Sequence, residues 1–262
     1  MTRSRPVVIT RPQPQAQSWA NAVAAQGLSV VTLPLIEIRP GRWAQSLATW
    51  RERLGDFHAV MFVSPAAVTH FLSGEAGEGA GHWRAWATGP ATAKALRGVG
   101  VPAARIVSPS PDTLQWDSEA LWTMVHPALL ASKAEQGGRP LRVLIVRGSN
   151  AQGQMAGRDW LAEQLMAMGV QVDFAVAYER HVPDVRSVLT NQPGLKTGIW
   201  VFSSSEAIAN LRSIDPDCRW QQATAVVTHP RIAQAAHDAG FGVVCQSLPG
   251  LDQVLASIKS VA

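Results

Sequence analysis

Turns that could bind an anion follow four of the predicted strands in this sequence, each at the start of a predicted helix. The four turns contain Ser64-Pro65, Gly89-Pro90, His229-Pro230 and the run Ser203-Ser204-Ser205. Ligands of open parallel sheets bind beyond the carboxyl ends of the strands, and free N–H groups at helix starts attract carboxylates or phosphates. Any one of these turns could be ordinary helix capping. Four of them at matched positions favour a shared cleft that faces an anionic ligand.

Two arginines and one tyrosine add further chemistry. Arg11 ends the apolar stretch VVITRP at 7–12, and Arg147 ends VLIVRG at 143–148. Each guanidinium could bind a carboxylate through two hydrogen bonds, or could pair with a neighbouring acidic side chain. Tyr178, in AVAYERHVP at 175–183, is the only tyrosine of the chain. Its phenol could pack in a sheet with the hydroxyl on an edge partner, or it could serve a reaction directly.

Most familiar catalytic signatures are missing from the sequence. The stretch GSNAQGQM has Gln-Met where a phosphate-binding loop needs Lys-Ser/Thr, and no GxGxxG, HExxH or GxSxG motif occurs. The two cysteines, Cys218 and Cys245, form no CxxC motif, so neither a disulfide framework nor a cysteine metal site is predicted. We therefore expect no cofactor and no metal.

Charge and hydropathy limit the class of partner. With 23 Lys+Arg against 19 Asp+Glu, the net charge is +4 and the pI is about 9.6. This mild excess suits an anionic small molecule better than the densely basic face of a nucleic-acid binder. The longest stretch without Asp, Glu, Lys or Arg, 57–74, has the pattern of a strand and a helix, not of a membrane span. No signal peptide is predicted, so we expect a cytoplasmic protein.

An internal repeat, with an offset near 140 residues, positions these side chains. VVITRP corresponds to VLIVRG, AVMFVSPAAV to GIWVFSSSEAI, and WATGPATAKALRGVG to VVTHPRIAQAAHDAG. Each half has the pattern of a strand, a helix, a strand and an extended link, followed by strand and helix three times. The first helix of each half is predicted to stop at a left-handed glycine, Gly27 or Gly169. The stretches at 74–81 and 132–140 are predicted to be flexible surface loops. This alternation predicts two similar α/β domains with parallel five-stranded sheets covered on both faces.

In this order and spacing, the repeated stretches resemble the uroporphyrinogen-III synthase family. The resemblance covers nearly the whole chain and includes FVSPAAV, TGPATAKAL, LIVRG, VAYERHVP and VFSSSEAI. The family fold implies two flavodoxin-like domains that are not the two sequence halves. The implied domains are 1–34 with 184–262 and 41–174, and a two-stranded extended linker at 35–40 and 175–183 joins them. Tyr178 would then lie on the return link, at the mouth of the cleft between the domains.

The resemblance also implies a reaction, the cyclisation of hydroxymethylbilane to uroporphyrinogen III. The substrate is a linear tetrapyrrole with eight carboxylates. Its terminal hydroxyl leaves to give an azafulvene, attack at the substituted position of ring D gives a spiro-pyrrolenine, and fragmentation with reclosure inverts ring D. Loss of the hydroxyl needs a general acid, and the implied donor is Tyr178. The electron-rich pyrrole rings supply the driving force for the cyclisation, which agrees with the absence of cofactor motifs in the sequence.

The candidate substrate-binding positions come from both halves of the sequence. The resemblance implies Ser64, Thr92, Ser203 and Ser204 with the backbone at Gly89 and Pro90, and the patterns above add Arg11, Arg147 and His229. One turn departs from the family, because His229-Pro230-Arg231-Ile232 stands where Gly-Pro-Thr-Thr is common. Arg231 could contact a propionate of the substrate or point to solvent.

Two other functions fit the same sequence. One is a non-catalytic two-lobed module or sensor that closes on an anionic metabolite, and the other is a synthase-like domain without turnover. No helix-turn-helix motif or attached effector domain is found, which argues against a transcription factor. We expect a monomer that makes a transient contact with the upstream bilane-forming enzyme and binds neither nucleic acid nor membrane.

Overall fold

The computed structural model describes residues 5–72, 83–113, 116–135, 140–155 and 159–262. The predicted loop at 74–81 lies outside the described residues, as does the part of the predicted 132–140 loop that spans 136–139. The loop prediction is wrong for 132–135, which form the end of a helix. The chain divides into two compact units. The first unit is Met1–Ile38 with His181–Ala262, and the second unit is Arg39–Arg180.

Strands and helices alternate through both halves of the sequence. The strands are β1 (Val7–Ile9), β2 (Val30–Thr32), β3 (Glu37–Pro40), β4 (Ala59–Phe62), β5 (Arg84–Ala87), β6 (Ile106–Val107), β7 (Arg142–Asn150), β8 (Gln171–His181), β9 (Ile199–Phe202), β10 (Thr224–Val227) and β11 (Val243–Gln246). The helices are α1 (Gln15–Ala24), α2 (Leu47–Glu52), α3 (Pro65–Phe71), α4 (Pro90–Gly98), α5 (Ser118–Glu135), α6 (Trp160–Ala167), α7 (Arg186–Asn191), α8 (Ser205–Ile214), α9 (Pro230–Asp238) and α10 (Leu251–Val261).

The element order confirms the predicted repeat. Both halves contain a strand, a helix, a strand and an extended segment, and then three strand–helix pairs. The turns after α1 and α6 contain Gly27 and Gly169, each with φ of 75°, as a left-handed C-terminal cap requires. The sequence did not predict the six-residue helices α2 and α7. Each is followed by a short 3₁₀ turn, before β4 in the first half and before β9 in the second.

Each unit contains a sheet whose central strands are parallel. The first sheet has the order β11-β10-β9-β1-β2, and every pairing in it is parallel. The second sheet has the order β3-β8-β7-β4-β5-β6, and its pairings from β8 to β6 are parallel. In both sheets the middle strands are fully buried, β9 and β10 in one and β4 in the other. Helices therefore cover both faces.

The predicted count of five strands is wrong for the second sheet, which has six. The additional strand is β3, from the extended segment that the sequence assigns to a link, and it pairs with β8. Strand β8 is 11 residues long and runs through most of the stretch at 175–183 that the sequence assigns to the return link. An unpaired edge of this length would expose a row of backbone N–H and C=O groups, which pairing with β3 satisfies.

Side chains of alternate residues fill separate cores on the two faces of the first sheet. Val7 and Ile9 point to the face packed by α1 and α10, whereas Val8 points to the opposite face. Trp200 lies in this second core, fully buried, with its ring centroid 5.0 Å from that of Trp220. This burial fixes the register of the central strands, because a slip of one residue would exchange the two faces. The carboxyl ends of the strands are thereby placed at one edge of each sheet.

Candidate functional site

In the first unit, the candidate residues follow three neighbouring parallel strands. Arg11 comes after β1, Ser203 and Ser204 after β9, and His229 after β10, and the sheet order is β10-β9-β1. The register pairs Ile9 with Val201 and Phe202 with Val227, so these strands end at nearly the same level. We call this edge the first rim, defined by Arg11, Ser203, Ser204, His229 and Arg231.

Arg11 is a partly buried cation at the first rim. Its guanidinium carbon lies 3.8 Å from the ring centroid of Trp19, and Nη1 donates a hydrogen bond of 3.5 Å to Gln15 Oε1. Within the described part of the chain, Arg11 Nε is buried and has no hydrogen-bond partner. Burial lowers the pKa of Arg11 to about 10, which leaves the side chain charged at neutral pH.

Two other residues of the first rim, Ser204 and His229, are the N-caps of helices. Ser204 Oγ accepts a hydrogen bond of 3.2 Å from the N–H of Glu206 at the start of α8, and His229 Nδ1 accepts one of 3.1 Å from the N–H of Arg231 at the start of α9. Ser203 is half-buried and Arg231 is exposed. The predicted caps at Ser204 and His229 therefore form. At α9 these bonds use up the first turn, because Pro230 has no N–H and the N–H groups of Arg231 and Ile232 donate to Nδ1 and to the carbonyl oxygen of His229. The first turn of α8 keeps further N–H groups that a ligand could bind.

In the second unit, the candidate residues come from four neighbouring strands, with Arg147 inside β7, Tyr178 inside β8, and the others after β4 and β5. Ser64 begins α3, and Gly89 with Pro90 begins α4, whose Thr92 is buried. A Cβ on Gly89 would lie 2.9 Å from Cβ of Trp116, so a side chain does not fit at this position. We call this edge the second rim, defined by Ser64, Gly89, Pro90, Thr92, Arg147 and Tyr178.

Arg147 differs from Arg11 in having a carboxylate partner. Its Nη1 forms an ion pair with Asp159 Oδ1, and its guanidinium lies 5.4 Å from the ring centroid of Phe174. The side chain is 3% exposed, so the charge is almost entirely removed from water. The sequence left two uses open for the strand-end arginines, carboxylate binding and pairing with an acidic neighbour. Arg147 pairs with an acidic neighbour, whereas the guanidinium of Arg11 lies over an aromatic ring.

Tyr178 is a buried residue of strand β8, with only 3% of its surface exposed. Its hydroxyl lies 3.0 Å from Ser64 Oγ, and its ring centroid lies 6.0 Å from that of His70. Burial lowers the pKa of His70, which favours a neutral imidazole beside the phenol. The second sheet therefore brings together two of the predicted residues, Tyr178 and Ser64, by a direct hydrogen bond.

Two features around Tyr178 were not found from the sequence. Strand β7 is irregular between Arg147 and Gly148, and Gly148 then pairs with Tyr178. A Cβ on Gly148 would lie 2.5 Å from Cε2 and 2.6 Å from Cζ of the Tyr178 ring, so the ring packs directly on a bare backbone. The repeat offered no signal for this contact, because it aligns Gly148 with Pro12 of the other half.

The second feature is an ion pair on the residue after Tyr178. Glu179 is 6% exposed, and its Oε1 accepts hydrogen bonds of 2.7 Å from Arg42 Nε and 3.1 Å from Arg42 N. The hydrogen bond and the charge of Glu179 raise the pKa of Arg42. Arg42 Nη2 also donates 2.7 Å to the carbonyl of Ala151. This network fixes the segment after β3 against β8 and the turn after β7.

Neither a metal cluster nor a membrane span is found among the described residues. No group of three or more His, Cys, Asp or Glu side chains in these ranges could hold a metal ion. No helix in the same ranges has the length and apolar character needed to cross a membrane.

Comparisons with known proteins show what this chain is similar to. Residues 17–255 match the family model described as "Uroporphyrinogen-III synthase HemD". The chain is 27% identical over 254 residues to a uroporphyrinogen-III synthase of Salmonella typhimurium, with 90% of this chain and 92% of the relative covered. It is 25% identical over 248 residues to that of Escherichia coli, with the same coverage of 90% and 92%.

Two solved structures have a similar fold. A mutant uroporphyrinogen III synthase of Thermus thermophilus has a TM-score of 0.59 at 15% identity, with 98% of both chains covered. A uroporphyrinogen-III synthetase of Helicobacter pylori has a TM-score of 0.58 at 18% identity, with 99% of this chain and 100% of that chain covered. At these identities the likeness concerns the fold alone, an α/β fold with parallel sheets.

Proposed function

The chain belongs to the uroporphyrinogen-III synthase family and cyclises hydroxymethylbilane to uroporphyrinogen III, and we propose that Tyr178 is the general acid of this reaction. One observation carries the proposal. The phenol hydroxyl lies at the carboxyl edge of a parallel sheet, 3.0 Å from the hydroxyl of Ser64. This edge is where ligands of such sheets bind.

The reaction requires a proton at its first step. The C–O bond of the terminal hydroxymethyl group breaks with electrons supplied by the pyrrole nitrogen, and the hydroxyl leaves as water once it has received a proton. The resulting azafulvene is attacked by the substituted position of ring D to give the spiro-pyrrolenine. Fragmentation and reclosure complete the inversion, and loss of a proton from ring D restores its aromaticity. A phenol is a suitable donor, because it is protonated at neutral pH and its transfer contributes by general-acid catalysis.

We also propose that Arg11 binds one carboxylate of the substrate. Its guanidinium is charged, its central carbon lies over the Trp19 ring at 3.8 Å from the centroid, and its Nε is buried without a hydrogen-bond partner in the described part of the chain. A carboxylate would supply that partner and accept a second hydrogen bond from the same guanidinium. The pair with Asp159 largely neutralises the charge of Arg147, so for this arginine we propose a smaller role, in which it assists substrate binding at the second rim as part of that ion pair.

The remaining candidates are proposed to bind carboxylates mainly through backbone N–H groups. Helices α4 and α8 begin at Pro90 and Ser205, and their first-turn N–H groups lie at the two rims, where they can attract an anion. Gly89 and Pro90 are proposed to place the N–H groups at the start of α4 against the substrate, since proline has no N–H of its own. Thr92, Ser203, Ser204 and His229 are proposed to contact carboxylates with their side chains as well. Arg231, exposed on the first turn of α9, is proposed to contact a propionate in place of the hydroxyls common in the family.

For the architecture, we propose flavodoxin-like domains at 1–34 with 184–262 and at 41–174, linked by 35–40 and 175–183. Strand order supports the proposal for each unit by itself. Counted from β1, the first sheet has the order 2-1-3-4-5 of flavodoxin-like folds. The second sheet has the same order when it is counted from β7 and β3 is left out.

We propose that the protein works in the cytoplasm as a monomer and takes its substrate in a transient contact with the bilane-forming enzyme. The chemistry of the substrate supports such a contact, because free hydroxymethylbilane closes spontaneously to the type I isomer. The mild net charge of +4 agrees with an anionic substrate and not with nucleic acid.

The activity is tested by supplying freshly prepared hydroxymethylbilane and separating the products by isomer. We expect mainly the type III isomer, without added metal or nucleotide. A folded protein that leaves the product as type I would favour the alternative of a non-catalytic module that binds an anionic metabolite.

A further inference from the structure

We infer that Ser64 acts on the reaction through Tyr178, as a positioning residue that orients the phenol hydroxyl. The inference rests on the proposed role of Tyr178 as the proton donor and gives Ser64 a role other than direct contact with a carboxylate. It starts from the hydrogen bond of 3.0 Å between the two hydroxyls.

The hydrogen-bonding capacity of Ser64 is largely used within the protein. A serine hydroxyl has one proton and two lone pairs. One lone pair accepts the N–H of Ala67 at 3.1 Å, which caps α3, and a second position is occupied by the hydroxyl of Tyr178. One position is left for a substrate atom, which makes Ser64 a poor primary site for a carboxylate.

The direction of the Ser64–Tyr178 bond determines whether the phenol can act as an acid. If Tyr178 donates to Ser64, its proton points away from the substrate. If Ser64 donates to Tyr178, the phenol proton is free for the leaving hydroxyl. The same Ser64 O–H then stabilises the phenolate that remains, because hydrogen bonds to a charged oxygen are stronger than those to a neutral one. Ser64 therefore favours proton transfer by Tyr178 without touching the reacting atoms.

The repeat provides a matched comparison, Ser204. This serine also caps a helix, α8, by accepting the N–H of Glu206 at 3.2 Å. The only tyrosine of the chain is hydrogen-bonded to Ser64, so Ser204 has the cap without the phenol. Loss of either hydroxyl removes a helix cap, and only loss of Ser64 changes the surroundings of Tyr178.

A double-mutant cycle between Ser64 and Tyr178 tests the inference. In the wild-type background, we expect Ser64→Ala to lower kcat about tenfold, the factor of one ordinary hydrogen bond, with KM changed little. Ser64→Thr keeps both the cap and the hydroxyl and should restore kcat. In the Tyr178→Phe background, Ser64→Ala should change kcat by less than about twofold, since interacting residues are not additive. Ser204→Ala, at a proposed substrate contact, should raise KM instead.

The inference is overturned if Ser64→Ala lowers kcat equally in both backgrounds. It is also overturned if the variant raises KM alone, as Ser204→Ala is expected to do, because Ser64 would then bind substrate directly.

A spectroscopic measurement separates the contact from catalysis. Since Tyr178 is the only tyrosine, incorporation of 3-fluorotyrosine gives a protein with a single ¹⁹F resonance. We expect Ser64→Ala to shift this resonance, and Ser64→Thr and Ser204→Ala to leave it near its wild-type position. An unchanged resonance in Ser64→Ala would refute the inference whatever the activity. A shifted resonance together with a fully active Tyr178→Phe variant would instead refute the proposed proton donor.

Discussion

Gly148→Ala is expected to damage both the stability of the second unit and its chemistry, because the Tyr178 ring packs directly on this glycine. The added Cβ would lie 2.5 Å, 2.6 Å and 3.0 Å from three atoms of the ring. Carbon atoms pack at about 3.5–4.0 Å, so the ring or strand β7 has to move by about 1 Å. Gly148 is not in the left-handed region of φ, so this clash is the main cost of the substitution.

The magnitude follows from that displacement. Overpacking of a buried site costs about 1–3 kcal/mol, and the lower backbone entropy of alanine in the unfolded chain returns about 0.4–1 kcal/mol. The net loss of unfolding free energy is then about 1–2 kcal/mol, or a fall in Tm of about 2–8 °C. A shift of about 1 Å also extends the hydroxyl contact between Tyr178 and Ser64 beyond hydrogen-bonding distance. Misplacement by that distance lowers turnover by about 10²-fold.

The assays are thermal unfolding and the rate of type III isomer formation. Gly98→Ala is the control, because a Cβ at this position in α4 meets no atom within 4 Å. We expect the control to keep or slightly raise Tm, and to keep turnover. If Gly148→Ala matched the control in both measurements, the close packing of Tyr178 on β7 would be refuted.

Three further variants test the roles of Arg11, Trp200 and His58. Arg11→Gln should raise KM about tenfold or more, which is the contribution of a charged hydrogen bond, and should leave kcat nearly unchanged. An unchanged KM in steady-state kinetics would exclude Arg11 as a carboxylate ligand. Trp200→Ala should lower the free energy of unfolding by about 3–5 kcal/mol in denaturant titrations, because the side chain is fully buried, and a loss below about 1 kcal/mol would contradict this packing. Burial and the charge of Arg84 lower the pKa of His58 in the folded protein. As the pH falls, the His58 side chain is therefore protonated in the unfolded chain before it is protonated in the folded protein. The stability contributed by the neutral His58 is complete above about pH 6.5 and is lost below it. His58→Gln should therefore flatten the fall in Tm between pH 7.5 and 5.5. A slope equal to that of the wild type would contradict this.

The repeat, the element order and the helix ends could be predicted because they depend on neighbours in the sequence. Apolar strands of four residues, polar turns and glycines such as Gly27 and Gly169 determine structure within a few residues of themselves. The helix-start turns at Ser64 and His229 could be found in the same way, and both side chains form the expected caps.

The contacts that define the surroundings of Tyr178 join residues far apart in the sequence. Arg42 and Glu179 are separated by 137 positions, and Ser64 and Tyr178 by 114. No local pattern distinguishes Arg42 from the chain's other arginines or marks Gly148 as the surface under an aromatic ring. The sixth strand was missed for a related reason, because pairing of β3 depends on the length of β8, and strand ends are poorly defined by periodicity.

If Tyr178 donates the proton to the leaving hydroxyl, Tyr178→Phe should remove this donor and leave the fold intact. The variant keeps the ring and its packing on Gly148 and loses one hydrogen bond, so the free energy of unfolding should fall by about 1 kcal/mol. Thr224→Val is a matched control, because it also removes one buried hydroxyl. Thr224 Oγ1 accepts a hydrogen bond of 2.7 Å from Arg5 and lies at the start of β10, at the end of the strand away from the first rim.

Type III isomer formation from hydroxymethylbilane is then measured for both variants and the wild type. We expect Tyr178→Phe to lower turnover by about 10²–10⁴-fold with KM nearly unchanged. Thr224→Val should keep wild-type turnover despite its own loss of stability. A folded Tyr178→Phe variant with turnover within about threefold of wild type, too small a loss for general-acid catalysis, would contradict the claim and assign the proton to another source.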